Sequence, residues 1–106
     1  MDKDCIFCKI AAHEIPKKPD EMVFEDADFM AFYDIHPNAP GHTILIPKEH
    51  YRWFEEIPNE LYSKLFLIAK KISKDLKESR GVDYIHLSIV GKDVPHVHIH
   101  LIPQKL

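Results

Sequence analysis

The stretch His96-Val97-His98-Ile99-His100-Leu101-Ile102-Pro103 constrains this chain more than any other. Histidine and aliphatic residues alternate along it. Successive side chains on a strand point to opposite faces, so Val97, Ile99 and Leu101 are expected in the core and His96, His98 and His100 on the other face. Neighbouring imidazoles on such a face stand roughly 7 Å apart. Thr, Ser, Lys or Glu would serve a wet face equally well, so three histidines in register argue against a merely solvated strand. Imidazole is nucleophile, proton carrier and metal ligand near neutral pH. The remaining readings are a metal-binding ridge, a nucleophilic site, or a division of the histidines between both tasks.

The 106 residues make up the length of one domain, 1–106, and 45% apolar residues suffice for an ordinary core. The formal charge of −3 offers no electrostatic footprint for nucleic acid or an anionic membrane, though a local site can still bind a phosphate-bearing small molecule. No apolar run approaches the roughly 20 residues of a membrane span. Met1-Asp2-Lys3-Asp4 lacks the apolar segment of a secretory signal, so a reducing cytoplasm is the expected setting for the two cysteines.

With three glycines and eight prolines, the chain is punctuated mainly by proline. Residues 6 to 13 read as a short helix closed by Ile15-Pro16. Met22 to Glu25 and Phe29 to Ile35 read as strands joined by the Asp26-Ala27-Asp28 turn. A third strand spans His42 to Pro47, and Tyr51 to Ile57 has room for a helical turn. The strongest helix follows Pro58-Asn59-Glu60: Leu61, Leu65, Ile68, Ala69, Ile72 and Leu76 step by three or four, and Gly81 supplies the stop. Its lysines fall largely off that stripe and read as a solvated face. Tyr84 to Val90 and Val97 to Ile102 complete five strands, the last two joined by a short link suited to antiparallel pairing. The expected class is α+β: one five-stranded antiparallel sheet with one long helix and a short N-terminal helix.

Cys5-Ile6-Phe7-Cys8 is the second strong signal. Redox-active Cys-x-x-Cys pairs usually follow a strand, and only four residues precede this one. A zinc site needs two further ligands, usually histidine, and His13, His36, His42, His50, His86 and the triplet are all available. Spacing does not choose among them. The competing reading is two reduced thiols packed as small apolar groups.

At this point the residues resemble a family. His96 to Ile102 is similar to the histidine-triad pattern His-φ-His-φ-His-φ-φ, with φ apolar. The resemblance extends to Cys5-Ile6-Phe7-Cys8-Lys9-Ile10, Ile15-Pro16, Phe24-Glu25-Asp26, Ala31 to Ile35, and Gly41 to Lys48 with His50, in the right order along essentially the whole chain. The chain looks like a small bacterial-type member of the histidine-triad (HIT) superfamily, nearest the Hint branch of nucleotide hydrolases and transferases. The resemblance implies that His98 attacks the α-phosphorus of a purine nucleoside phosphoramidate or dinucleoside polyphosphate. A nucleotidyl-histidine then forms and water releases the monophosphate. The attacking ring must be neutral, a condition that an ordinary imidazole of pKa about 6.5 meets at cytoplasmic pH. His100 would hydrogen-bond phosphate oxygens. Zinc-bearing members place their structural ion on residues matching Cys5, Cys8, His50 and His96. Asp34 matches the carboxylate that binds ribose, and Ile6, Phe7, Ile10, Ile15, Phe32 and Ile35 match the apolar cleft for the base. His42 has a weaker case, as a support for the strand edge, and His13 and His86 are expected to face solvent. Relatives are commonly homodimers through the long helix and one sheet edge.

One segment departs from the family. Members usually carry Gly-Gln-Ser or Gly-Gln-Thr shortly before the triad, after a glycine-rich loop, where this chain has Val90-Gly91-Lys92-Asp93-Val94-Pro95. Lys92 is expected to replace part of the lost phosphate contact, and Asp93 to be a proton donor or a turn residue. Three functions remain in competition: a hydrolase or transferase acting through His98, a nucleotide-binding scaffold dimer with little turnover, and a metal-activated water site on the three histidines.

Overall fold

The computed structural model describes residues 4–106, so residues 1–3 of the segment read for a secretory signal lie outside the described residues. Helix α2, Asn59–Arg80, follows from its apolar stripe: Leu65, Ala69, Ile72 and Leu76 are buried. Gly81 ends it in the left-handed region at φ +60°, donating its N–H to the Lys77 carbonyl. A residue without Cβ adopts that conformation at no steric cost.

Strands β1 (Met22–Glu25), β2 (Phe29–Tyr33), β3 (Thr43–Pro47), β4 (Tyr84–Ser88) and β5 (Ile99–Gln104) form one antiparallel sheet in the order β1-β2-β3-β5-β4. The turn between β1 and β2 is held by Asp26, whose Oδ1 accepts from the Asp28 and Phe29 N–H groups at 2.8 Å each. A short 3₁₀ turn at Phe54–Glu56 occupies the stretch expected to hold one. The chain runs from β3 through α2 to β4, and β5 then inserts between β3 and β4. The histidine stretch therefore enters the middle of the sheet.

Both faces of the central strands are covered, so β2 and β3 are almost wholly apolar. Phe29, Ala31, Leu45, Ile99 and Leu101 join Leu65, Ala69, Ile72 and Leu76 of α2 in one core. Met30, Phe32, Ile44 and Ile46 point the other way, against Phe7, Cys8, Ile10 and Ala11 of helix α1 (Ile6–Ala11). The short helix is thus the lid on the histidine face. His96 is fully buried and His98 nearly so, on the face that alternation opposes to Val97, Ile99 and Leu101.

The last strand begins two residues later than the alternation suggests. Val97 donates its N–H to the Tyr51 carbonyl at 2.7 Å and His96 to the Val94 carbonyl at 2.8 Å. Those donors are committed to loops, and pairing with β3 starts where Ile99 meets Leu45. Among the described residues, no helix is long and apolar enough to cross a membrane.

Candidate active site and metal centre

Helix α1 starts at the Cys-x-x-Cys segment. Cys5 is its N-cap, and the three-residue spacing turns both sulfurs to one side. They meet two histidines from distant loops. Nδ1 of His96 lies 3.3 Å from Cys5 Sγ and 3.4 Å from Cys8 Sγ, and Nδ1 of His50 lies 3.2 Å from Cys8 Sγ. The four ligand atoms all fall within 4.8 Å of one another. A tetrahedral ion with sulfur at about 2.3 Å and nitrogen at about 2.0 Å sets neighbouring ligands roughly 3.5 Å apart. The donor set fits a four-coordinate site. The proton positions agree: His96 Nε2 faces the Pro47 carbonyl at 2.8 Å, and a carbonyl only accepts, so Nε2 carries the hydrogen and Nδ1 presents its lone pair to the sulfurs. Burial, opposed by the Pro47 carbonyl and reinforced by His50 and His98, pushes the His96 pKa down to about 4. A neutral ring is the form that binds metal.

The same reasoning assigns the other two histidines. His98 Nδ1 faces the carbonyl of His96 at 2.8 Å, so Nδ1 donates and the Nε2 lone pair is free. The hydrogen on His100 is fixed from Asn38 onward. The backbone N–H of Asn38 donates to His42 Nδ1 at 3.1 Å, which leaves the hydrogen of a neutral His42 on Nε2. That hydrogen is donated to His100 Nδ1 at 2.9 Å, and His100 in turn carries its own hydrogen on Nε2. The result is a lone pair on His98 beside an N–H on His100, in rings whose centroids are 4.9 Å apart. Burial lowers the pKa of His42, with Asp34 opposing. Burial first, and then His98 and His42, lowers that of His100.

His42, His100 and Asp34 also form a cluster of possible ligand atoms, with Asp34 Oδ2 3.5 Å from His42 Nε2. A cation on His42 Nε2 would force the hydrogen onto Nδ1, opposite the Asn38 N–H. Two hydrogens would then face each other, so the cluster is built to pass hydrogen bonds and not to hold an ion.

A cleft of about 620 Å³ opens beside these rings, within the range of small-molecule sites. His98 and His100 line one part of it. Ile6, Phe7, Ile10, Ile15, Phe32 and Ile35 all line it too, and Phe7 packs edge-on to His98 at 5.0 Å. Ile35 is 68% exposed and Ile6 47%, apolar surface left for a ligand to cover. Asp34 reaches the cleft as well. Its Oδ1 accepts from the His36 N–H at 2.9 Å, so it is both the turn residue and a wall of the site.

The segment before the triad divides. Asp93 and Val94 line the cleft, whereas Lys92 is exposed and is not among the lining residues. Gly91 turns the chain at φ +70°, where a Cβ would lie 3.4 Å from the Trp53 ring, and Arg52 donates to its carbonyl. His13 is solvent-facing as expected, but Nε2 meets Glu25 at 2.7 Å. His86 is exposed.

Sequence reasoning missed Lys17, Tyr33, His36, Ile44 and Val94 on the cleft wall, and it undervalued His42. The signal for His42 lay in the strand register: Ile44 pairs with His100, so His42, two residues earlier, shares its face.

Comparison with known proteins accords with this geometry. The HIT domain family profile matches residues 16–106. An uncharacterised HIT-like protein of Methanocaldococcus jannaschii is 40% identical over 105 residues, covering 94% of this chain and 78% of that protein. An adenosine 5'-monophosphoramidase of Saccharomyces cerevisiae is 39% identical over 106 residues, and the match spans 99% of this chain but 65% of the yeast protein. The crystal structure of a Streptococcus mutans UA159 protein superposes with a TM-score of 0.89 at 36% identity, covering 99% of this chain and 68% of that one. On this evidence the chain belongs to the HIT family of histidine-triad proteins.

Proposed function

We propose that this protein hydrolyses the α-phosphate linkage of purine nucleoside phosphoramidates or dinucleoside polyphosphates, or transfers the nucleotidyl group, through a covalent intermediate on His98. The observation that carries the proposal is the hydrogen bond from His98 Nδ1 to the His96 carbonyl, which directs the Nε2 lone pair outward. In the first step Nε2 bonds to the α-phosphorus as the phosphorus–nitrogen or phosphoanhydride bond breaks. The leaving group departs with the bonding electron pair and takes up a proton. In the second step water bonds to phosphorus, the Nε2–phosphorus bond breaks, and a nucleoside monophosphate is released. The His100 N–H donates to a non-bridging oxygen as negative charge gathers there. Asp34 keeps Oδ2 for the ribose hydroxyls, and the isoleucine and phenylalanine walls hold the base. The yeast relative, named an adenosine 5'-monophosphoramidase, supports the same class of substrate.

Cys5, Cys8, His50 and His96 would hold a structural zinc ion, which supplies a cross-link between α1 and the sheet. His98 remains outside the ligand set. A reducing, cytoplasmic setting would keep both thiols available as ligands. Two copies are proposed to pair through α2 and the β4 edge, where Leu67, Tyr84 and Leu87 are exposed. A monomeric mass by light scattering would contradict that pairing.

A second reading, a nucleotide-binding scaffold with little turnover, draws on Asp93. Its carboxylate lines a cleft that must accept an anionic phosphate. Incubating the zinc-loaded protein with adenosine 5'-phosphoramidate and with a dinucleoside polyphosphate separates the two. His98-dependent release of monophosphate supports the hydrolase, and nucleotide binding with equal background turnover in His98→Ala supports the scaffold.

A further inference from the structure

The cleft is walled mostly by apolar side chains, yet one lysine stands among them. Lys17, half-buried, places Nζ 4.9 Å from the centroid of the Phe32 ring. Lys17 forms no ion pair among the described residues. Its charge is therefore offered to the ring face and to whatever enters the cleft. An ammonium over an aromatic face is attracted by the ring quadrupole but keeps its three N–H donors for a better acceptor.

Ring contacts connect the cation to the triad: Phe7 lies 5.0 Å from His98 and 6.0 Å from Phe32, and the Lys17 ammonium lies 4.9 Å from the Phe32 ring. A nucleotide whose phosphorus sits against His98 lays its base along Phe7 and Phe32. Lys17 lines the same cleft as His98 and stands beside Phe32, where it can reach an edge of that base. A lysine discriminates between purines at such an edge. Guanine presents two adjacent acceptors, O6 and N7, whereas adenine replaces O6 with an amino donor that repels an ammonium.

We infer that Lys17 selects the base, donating to O6 and N7 of a guanine seated against Phe32, so that this chain favours guanosine over adenosine substrates. The inference rests on the nucleotide reading above and names the base for that same site. No other lysine and no arginine lines the cleft among the described residues, so the preference is assigned to Lys17. The contact is made equally in the ground and transition states and therefore acts on affinity.

The test is calorimetric titration of the intact protein with GMP and with AMP, for wild type, Lys17→Met and Lys17→Arg. Wild type is expected to bind GMP about tenfold more tightly than AMP. In Lys17→Met, which keeps the length without the charge, the two affinities should fall within about twofold of each other. Lys17→Arg should retain the preference. Equal affinities in wild type, or a guanine preference that survives in Lys17→Met, overturn the inference. Binding of neither nucleotide overturns it together with the nucleotide reading. A Lys17-dependent preference in a protein that hydrolyses no phosphoramidate sustains the inference and contradicts the hydrolase alone.

Discussion

His42 Nε2 stands 2.9 Å from His100 Nδ1, across 58 residues of chain. The bond completes a relay from the Asn38 N–H through His42 to the N–H that His100 aims at the cleft. A histidine outside the triad thereby determines which nitrogen of a triad histidine bears the proton. Without His42, His100 is free to turn its ring or to place its hydrogen on Nδ1, and the donor proposed for the phosphate is lost.

Replacing His42 by phenylalanine keeps a ring of similar shape and removes both nitrogens. The account expects kcat to fall roughly 10- to 100-fold, the usual scale for removing a group that orients a functional one. KM should move little, because the base and ribose contacts are untouched. Steady-state kinetics check this, and an unchanged kcat would show that the relay is ornamental.

The relay also makes stability depend on pH. Burial holds the pKa of His42 and of His100 below the ordinary imidazole value, where Asp34, His98 and His86 also act on His100. Below about pH 6.5 the unfolded chain takes up protons at these positions that the folded chain refuses. The unfolded state then binds more protons, so stability is full above that pH and declines as acid is added. Urea unfolding midpoints at pH 7.5, 6.5 and 5.5 should fall across the acid interval. The fall should be shallower in His42→Phe, and parallel curves would remove His42 from the linkage.

Removal of zinc gives a separate expectation. Cys5, Cys8, His50 and His96 join α1 to two loops of the sheet side, and an ion bound only by the folded form stabilises it by mass action. At a free zinc concentration a few hundred times Kd, that contribution is about 3 to 4 kcal/mol. Chelation should lower the thermal midpoint accordingly, and Cys5→Ser should lower it similarly and abolish stoichiometric zinc. A protein whose midpoint ignores both treatments holds these residues as a packed thiol–imidazole cluster instead.

Much of this arrangement was legible because it is local. The alternation around His98, the stripe of α2 and the three-residue spacing of Cys5 and Cys8 are short-range patterns that dictate faces directly. The partners of Cys5 and Cys8 were left open by spacing, since His50 and His96 arrive through tertiary structure; only the family resemblance named them. His42 was undervalued for a related reason, as its partner depends on the register of β3 against β5. Lys92 is a different case: charge type suggests a phosphate contact, and the residue is exposed and not among those lining the cleft. The strand start at Ile99 was invisible because the competing acceptors, Tyr51 and Val94 carbonyls, lie in irregular segments.

The central claim is that His98 Nε2 becomes bonded to phosphorus during turnover. Rapid quenching of the zinc-loaded protein with a nucleoside 5'-phosphoramidate, followed by mass spectrometry under alkaline conditions, tests it directly. The expected result is a peptide containing His98 that is heavier by one nucleotidyl group, absent from His98→Ala. Monophosphate release at full rate with no such adduct at any quench time, or an adduct on another residue, would contradict the claim.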